Sequence, residues 1–372
     1  MTSLAPRTRT IGGRRRISPL SVLEALATPH GIDRYLELVN PMLTVRDLRA
    51  EVTEVHRSTA DTVTLTLRPT RQWQGFEAGQ FVSISVEIDG VLHTRCYSPA
   101  CSQLRNDGRI ELTVKAHPQG LVSQFLHANA APGLVVGLTQ ADGTFRLPHI
   151  RPAKVLLVSG GSGVTPVMSM LRTLCDEGYT GDLTFLHYAY TDKDVPYRAE
   201  LEAIAAAYPN VQVVLAYTDQ EVGGDLHGYF GQAHLDAAAP WHADAETFLC
   251  GPPALMRSVR DLFDNNGLGA QLHTEDFAPS PIAIVEGEVS GDVTFTTSSV
   301  SAPNTGQSLL EQAEAAGITP EFGCRMGICF TCTRVKESGC TRNLRTGELN
   351  SDPDVQIQLC ISAPVGDVAV NL

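Results

Sequence analysis

Cys324, Cys329 and Cys332 stand in the stretch Cys324-Arg325-Met326-Gly327-Ile328-Cys329-Phe330-Thr331-Cys332, and Cys360 ends the run Val355-Gln356-Ile357-Gln358-Leu359-Cys360. This C-x4-C-x2-C…C pattern is the plant-type spacing for a [2Fe–2S] cluster. Two irons bridged by two sulfides need four thiolates. A tight loop can supply three from one side while its backbone N–H groups point at the sulfurs. Gly323 and Gly327 give such a loop access to positive φ. The alternatives are a zinc site and a disulfide knot. Zinc prefers paired C-x2-C knuckles, and a disulfide framework belongs with a secretory signal, which the sequence does not spell.

A cluster handles one electron at a time, so the remaining chain has to provide a donor and a route. At 372 residues it is long for one core and suggests two or three domains. Hydrophobic residues make up 43% and charged ones 19%, ordinary for a globular protein, and no apolar run is long enough to span a bilayer. The net charge of −13 speaks against nucleic acid as a partner. With four of the nine cysteines assigned, Cys96, Cys101, Cys175, Cys250 and Cys340 are left as free thiols, which fits a reducing, cytoplasmic compartment.

Residues 1–44 differ from the rest. Arg7, Arg9, Arg14, Arg15 and Arg16 precede the first acidic residue, Glu24, and read as a disordered basic arm. A short helix is expected over 20–27 and another over 33–39, before Asn40-Pro41 leads into the first strand. Over 45–150 the pattern is alternation, in Val52–Val55, Thr62–Leu67, Phe81–Val86 and Ile110–Val114, with Asp89-Gly90 and Asp107-Gly108 as punctuation. Short strands at this interval predict a small antiparallel barrel. Within it, Arg95-Cys96-Tyr97-Ser98 follows a strand, and Gly120-Leu121-Val122-Ser123 opens a helix. An arginine for a pyrophosphate, a ring for a flat heterocycle and a helix N terminus for phosphate oxygens suggest a dinucleotide site. Taken alone, Tyr97 reads equally as a half-buried strand tyrosine.

Over 151–278 the period changes. The apolar run Val155–Val158 ends in Ser159-Gly160-Gly161-Ser162-Gly163-Val164-Thr165-Pro166, and a helix is expected over 167–175. Strand, glycine turn and helix make a nucleotide-binding βα unit. Further units follow at 183–188 with a helix over 199–207, at 211–215, and at Thr247-Phe248-Leu249-Cys250 running into Gly251-Pro252-Pro253 and a helix over 254–263. In an open parallel sheet ligands sit at the carboxyl ends of the strands, so both glycine turns are expected to face one crevice. A Pro-Ser-Pro linker at 278–283 precedes a third domain over 284–372, with a strand at 291–296 and a helix over 308–316 that Gly317 ends.

The three blocks in this order resemble the ferredoxin–NADP reductase superfamily fused to a plant-type ferredoxin. The resemblance covers about 45–372. It implies an antiparallel β-barrel flavin domain, an α/β parallel-sheet nucleotide domain and an α+β, β-grasp ferredoxin domain. Arg95, Tyr97 and Ser98 match the R-x-Y-S/T flavin motif: Arg95 is implied to hold phosphate, Tyr97 to lie along the flavin, and Ser98 to approach the reactive flavin nitrogen. Gly120 and Ser123 match the phosphate-binding turn, with Val114, Lys115, Leu121 and Val122 beside the cofactor. Gly160, Gly161, Gly163, Thr165 and Pro166 match G-G-x-G-x-T-P. Cys250, Gly251 and Pro252 match the turn beside the nicotinamide, and Glu275 and Phe277 match the closing E-x-F. Ser98, Cys250 and Glu275 are thereby the implied catalytic residues, and Cys324, Cys329, Cys332 and Cys360 the metal ligands. The stretch 141–148 reads G-x-F-x-L-P, as in the FAD branch, rather than the P-x-N-x-F of the FMN branch, so FAD is expected ahead of FMN.

The implied chemistry takes a hydride from NAD(P)H onto the flavin and releases single electrons to the cluster. His93, His187 and His273 read as satisfied polar residues, because nothing offers them metal partners. Thr191, Lys193 and Arg198 stand where a 2′-phosphate would bind, so NADPH is expected ahead of NADH. A redox sensor or a self-contained oxidase is the competing reading, and the hydride-entry motifs speak against the sensor. Covalent linkage of reductase and ferredoxin favours a reductase feeding an oxygenase or desaturase. The stretches 31–36 and 38–42 resemble reductases paired with membrane fatty acyl-CoA Δ9-desaturases; aromatic-ring or alkane hydroxylase systems are the alternative. The basic arm would then touch the membrane peripherally.

Overall fold

The computed structural model describes residues 32–118, 120–277, 289–323, 327, 330–344 and 346–372. The chain divides into two compact units, Met1–Asp47 and Leu48–Leu372. In the first, helix α1 (Ile32–Glu37) ends in a turn where Val39 and Asn40 N–H both reach the Leu36 carbonyl, two residues short of its expected end. The buried Asp33 carboxylate gathers the N–H groups of Val45, Arg46 and Asp47 at 2.6, 2.8 and 2.8 Å, which folds 45–47 back on the helix. The basic arm and the helix expected over 20–27 lie outside the described residues.

The second unit begins with the antiparallel sheet. Strands β1 (Arg49–Thr59), β2 (Thr62–Pro69), β3 (Val82–Ile88), β4 (Val91–Tyr97), β5 (Ile110–Lys115) and β6 (Val135–Leu138) run in the order β4-β3-β6-β1-β2-β5. Pro99 bridges to Leu112, and the Ala100 N–H reaches the Glu111 carbonyl at 2.8 Å, so the two ends of the sheet meet as in a barrel. Val63, Leu65 and Leu67 from β2 and Ile110, Leu112 and Val114 from β5 fill the interior together with Val122 and Leu126 of helix α2 (Leu121–Asn129). Each such side chain contributes about 1.5–3 kcal/mol by leaving water. The alternation in the sequence marked β1, β2, β3 and β5. It missed β6, which is only four residues long, and β4, whose first two residues are exposed and the rest only partly buried.

The parallel sheet is built from β7 (Lys154–Gly160), β8 (Asp182–Ala189), β9 (Val211–Tyr217), β10 (Leu226–His227), β11 (Glu246–Cys250) and β12 (Leu272–Glu275), in the order β10-β9-β8-β7-β11-β12. Helices α3 (Val164–Asp176) and α4 (Arg198–Ala207) cover one face, α5 (Gln232–Ala238) and α6 (Pro253–Asn265) the other. Val155 and Leu157 enter the first core, Leu156 and Val158 the second, which is why this strand reads as an unbroken apolar run. The strand order reverses between β7 and β11, and that reversal opens a crevice at their carboxyl ends. Phe145 and Leu147 of the G-x-F-x-L-P stretch are buried against this sheet, with the Phe145 ring edge-on to Phe248 at 6.0 Å.

The last sheet comprises β13 (Asp292–Phe295), β14 (Val300–Pro303), β15 (Thr333–Asn343), β16 (Leu349–Asn350), β17 (Val355–Gln358) and β18 (Ser362–Val370). Its order is β14-β13-β18-β15-β16, with β17 on β15, and β13 parallel to β18. Helix α7 (Leu309–Ala315) starts at Ser308, which forms a capping box with Glu311. It packs Leu309, Leu310 and Ala313 onto Phe295, Val370, Cys332 and Cys360. The fully buried Lys336 places Nζ 2.6 Å from the Asn350 carbonyl and 2.7 Å from its Oδ1, pinning β16 to β15.

Candidate active site

The crevice at the β7–β11 reversal is formed by two turns packed back to back. A Cβ on Gly163 would lie 2.2 Å from the Cys250 carbonyl oxygen, and one on Gly160 would lie 2.9 Å from Pro252 and Leu255. These glycines are therefore required by the meeting of the two turns, a cause the motif alone did not reveal. Gly161, at φ +53° with open space around it, faces outward and leaves room for a ligand backbone approach. Thr165 turns its hydroxyl onto the Ser162 carbonyl at 3.3 Å, and Thr165 and Pro166 are buried in the first turn of α3.

Cys250 ends β11 in register with Ser159 on one side and Glu275 on the other. Burial and the nearby charges of Glu275 and Asp276 push its thiol well above the usual range, so it stays protonated. Ser98, itself buried, has its Oγ 3.5 Å from Glu275 Oε2. Ser98, Glu275 and Cys250 thus form a line across the crevice from barrel to parallel sheet. Phe277, two residues on, packs against the core beside α3, while Arg260 holds Asp276 between them at 2.6 Å.

Arg95 and Tyr97 of the Arg95-x-Tyr97-Ser98 segment lie in β4 itself, which ends at Tyr97, and Ser98 follows it directly. Tyr97 packs against the barrel core, and burial pushes its phenol up although Arg95 pulls the other way. Arg95 Nη1 donates to the carbonyls of Thr94 at 2.7 Å and Gly323 at 3.0 Å, and its guanidinium lies 5.9 Å from the centre of the Phe322 ring. Among the described residues no side chain caps the N terminus of α2, where Ser123 Oγ donates to the Gly120 carbonyl and accepts from the His117 N–H. Its free N–H groups and the Arg95 guanidinium suit a diphosphate. Val114 and Val122 are core residues of the barrel, so they could meet a cofactor only through their backbone. Leu121 is half exposed, and Lys115 pairs with Asp61 at 3.2 Å.

At the far end of β8, Thr191 donates to Asp194 at 2.7 Å within a capping box, and Arg198 is shared between Asp192 at 3.3 Å and Glu202 at 3.0 Å. Of the three expected 2′-phosphate residues, Thr191 and Arg198 are therefore already engaged with carboxylates. His273 bonds Glu246 at 2.7 Å, as expected of a satisfied histidine. His187 does not fit that expectation: its Nδ1 meets Ser159 Oγ at 2.8 Å, but Nε2 is buried without a hydrogen-bond partner among the described residues. Burial, and more weakly the Lys115 charge, lower its pKa to about 4, so it is neutral at pH 7.

Cys332 and Cys360 are buried, and the Gly327 N–H points at Cys360 Sγ at 3.2 Å. Gly327 has φ +73°, and a Cβ there would fall 2.6 Å from Ile361, so only glycine fits at this position with its N–H on the sulfur. Two thiols with a backbone N–H on one sulfur are what a [2Fe–2S] centre asks of its cradle. Cys324 and Cys329 lie outside the described residues.

Sequence reasoning missed the seam that orients the barrel against the parallel sheet. Arg172 of α3 reaches Glu111 at 2.6 Å and the Ala100 carbonyl at 2.8 Å in the barrel, and Glu200 of α4 at 2.6 and 2.7 Å. Its guanidinium lies 4.8 Å from the ring centre of Tyr197, which is held at φ +59° and donates its hydroxyl to Thr113. Burial works against the charge on Arg172, but the Glu200 hydrogen bonds and the charges of Glu111 and Glu200 more than offset it. No local motif marks these residues.

Three family models match the chain: the oxidoreductase FAD-binding domain at 49–147, the oxidoreductase NAD-binding domain at 157–261 and the 2Fe-2S iron-sulfur cluster binding domain at 293–365. An NADPH oxidoreductase of Mycobacterium tuberculosis is 34% identical over 374 residues, covering 98% of this chain and 96% of that one. The glycine betaine monooxygenase reductase subunit of Chromohalobacter salexigens is 31% identical, over 80% of this chain and 87% of its own. Among solved structures, phthalate dioxygenase reductase superposes with a TM-score of 0.58 at 22% identity, over 88% of this chain and 98% of that one, and shares the fold. The chain belongs to the ferredoxin–NADP reductase superfamily with a C-terminal [2Fe–2S] domain, and it is an oxidoreductase that uses NAD(P)H, FAD and a [2Fe–2S] cluster.

Proposed function

We propose that the chain passes electrons from NADPH to an oxygenase or desaturase, most specifically a membrane acyl-CoA desaturase. One observation carries the electron route: the end of β4 touches both other cofactor regions, through Ser98 to Glu275 at the nicotinamide crevice and through Arg95 to Gly323 beside the cluster loop. When bound, FAD accepts a hydride and gives up single electrons, which the [2Fe–2S] cluster carries onward. Arg95 and the N terminus of α2 bind the diphosphate. Ser98 would present its hydroxyl oxygen to a bound flavin, with Glu275 accepting its O–H at 3.5 Å and so fixing its direction. Cys250, kept as a neutral thiol, closes the crevice wall and excludes water from the hydride path. Cys324, Cys329, Cys332 and Cys360 hold the cluster. These roles divide the chain into an N-terminal arm at 1–44 and domains at 45–150, 151–278 and 284–372.

NADPH preference rests on Arg198 and Lys193. Exposed ion pairs such as Arg198–Asp192 are worth about 0–1 kcal/mol, so a phosphate dianion can displace the carboxylate. The name of the Mycobacterium tuberculosis relative, NADPH oxidoreductase, agrees with this.

The desaturase assignment rests on the resemblance of 31–36 and 38–42 to desaturase reductases. A second reading, the reductase component of an oxygenase system such as an aromatic-ring or alkane hydroxylase, is favoured by the names of relatives such as the glycine betaine monooxygenase reductase subunit. Among the described residues no helix is long and apolar enough to cross a membrane, so membrane contact falls to the basic arm. Each arginine near an anionic surface contributes about 1 kcal/mol of attraction. Removal of residues 1–17 should leave NADPH-driven cytochrome c reduction unchanged, weaken cosedimentation with anionic vesicles at low salt and slow a membrane desaturase. Equal desaturase turnover by full-length and shortened protein across salt concentrations would remove the arm from the mechanism. Faster reduction of a purified monooxygenase than of desaturase-bearing membranes would favour the second reading.

A further inference from the structure

Arg95 is assigned by motif to the flavin phosphates, yet both of its protein hydrogen bonds use a single nitrogen. Nη1 serves the Thr94 and Gly323 carbonyls, while Nε and Nη2 have no protein partner among the described residues. A guanidinium offers five donors in one plane, so it can serve a diphosphate on one edge and carbonyls on the other. Gly323 is buried and immediately precedes Cys324, the first cluster cysteine. Phe322, partly buried, puts its ring within 5.9 Å of the same guanidinium. The cation is seated on β4, which pairs with β3 from Val82↔Tyr97 to Ile88↔Val91, so it projects from a fixed ladder rather than from a loop.

We propose that Arg95, with Phe322 and the Gly323 carbonyl, forms a clamp that docks the cluster loop on the flavin barrel, making Phe322 a positioning residue for flavin-to-cluster electron transfer. This rests on the electron route proposed above. The clamp follows from charge: phosphate on the free edge holds the guanidinium plane, and the plane in turn orients the face that meets Phe322 and the edge that meets Gly323. Flavin occupancy and cluster docking are therefore linked through one side chain.

The test uses full-length holoprotein and the variants Phe322→Leu and Phe322→Tyr. In stopped-flow mixing with NADPH, flavin bleaching should keep the wild-type rate in all three. Cluster reduction should slow about two- to fivefold in Phe322→Leu, the change in docked population that loss of one cation–π contact produces, and Phe322→Tyr should restore it. Hydrogen exchange gives a readout independent of turnover: amides of 319–323 and 93–97 should exchange faster in Phe322→Leu than in wild type or Phe322→Tyr. If Phe322→Leu does not retain its cluster, wild-type protein with and without FAD replaces it, and protection of 319–323 should fall when FAD is removed. Wild-type cluster reduction and wild-type exchange in Phe322→Leu, or exchange at 319–323 indifferent to FAD, would overturn the clamp. Failure of NADPH to reduce the cluster in wild-type protein would instead overturn the route on which it rests.

Discussion

Replacing Arg172 by alanine tests whether the seam between barrel and parallel sheet sets the geometry of hydride transfer. The side chain is 15% exposed and makes four hydrogen bonds of 2.6–2.8 Å to Glu111, Glu200 and the Ala100 carbonyl. Removing one member of a buried ion pair costs about 3–5 kcal/mol, because the partner charge is left without compensation. Glu111, 18% exposed, keeps among the described residues only the Arg105 guanidinium at 4.0 Å, and Glu200 at 40% recovers water, so the low end, about 3 kcal/mol, applies. Arg172→Lys keeps one charge but cannot reach both carboxylates and the carbonyl, and should recover less than half. Beyond stability, a shift of the nicotinamide against the flavin by about 1 Å costs on the order of a hundredfold in rate. Urea unfolding followed by flavin fluorescence reads the first effect, and single-turnover flavin reduction by NADPH the second, with NADPH affinity nearly unchanged. An Arg172→Ala protein with near-wild-type stability and hydride-transfer rate would refute the seam as the orienting element.

Other consequences are local. Gly163→Ala drives a methyl into the Cys250 backbone and should cost about 1–3 kcal/mol together with NADPH binding, measured by thermal unfolding and by nucleotide titration. His187 titrates near 6.5 when unfolded and at about 4 when folded, so between those values the unfolded chain binds the extra proton. Its contribution is complete above pH 6.5 and is lost as pH falls toward 4, by about 3 kcal/mol, and His187→Gln should flatten stability against pH in that window. Arg198→Ala should lower kcat/KM for NADPH about tenfold while leaving NADH nearly unaffected, the loss expected when a charge-assisted phosphate contact disappears; an equal loss for both nucleotides would place the 2′-phosphate elsewhere.

Most of the fold was legible because its signals are local. An apolar run against a glycine turn marks β7, and alternation marks β2 and β5. β4 was obscured because its apolar Val91 and Leu92 are exposed and the residues after them only partly buried, so the strand carries no clear face. The site was legible as motifs but not as a set of contacts: Ser98 and Glu275 meet across 177 positions, and Arg95 and Gly323 across 228. Nothing in a window of sequence connects them. The glycines of the nucleotide turn read as the mark of a nucleotide-binding βα unit, whereas Gly160 and Gly163 are fixed by the second turn behind them. His187 was misread because a histidine with one satisfied nitrogen looks the same in sequence as one with two.

The electron route from nucleotide to flavin to cluster is tested most directly by rapid mixing of the holoprotein with NADPH while flavin and cluster absorbance are followed together, in wild type and in Cys360→Ser. In wild type the flavin should bleach first and the cluster second, with cytochrome c reduction following the cluster. In Cys360→Ser, which removes one buried cysteine of the proposed cluster set from the turn between β17 and β18, far in sequence from the flavin motif, the flavin should bleach at the wild-type rate while cytochrome c reduction is lost. Cytochrome c reduction that persists in Cys360→Ser, or a cluster that is reduced before the flavin, would contradict the route.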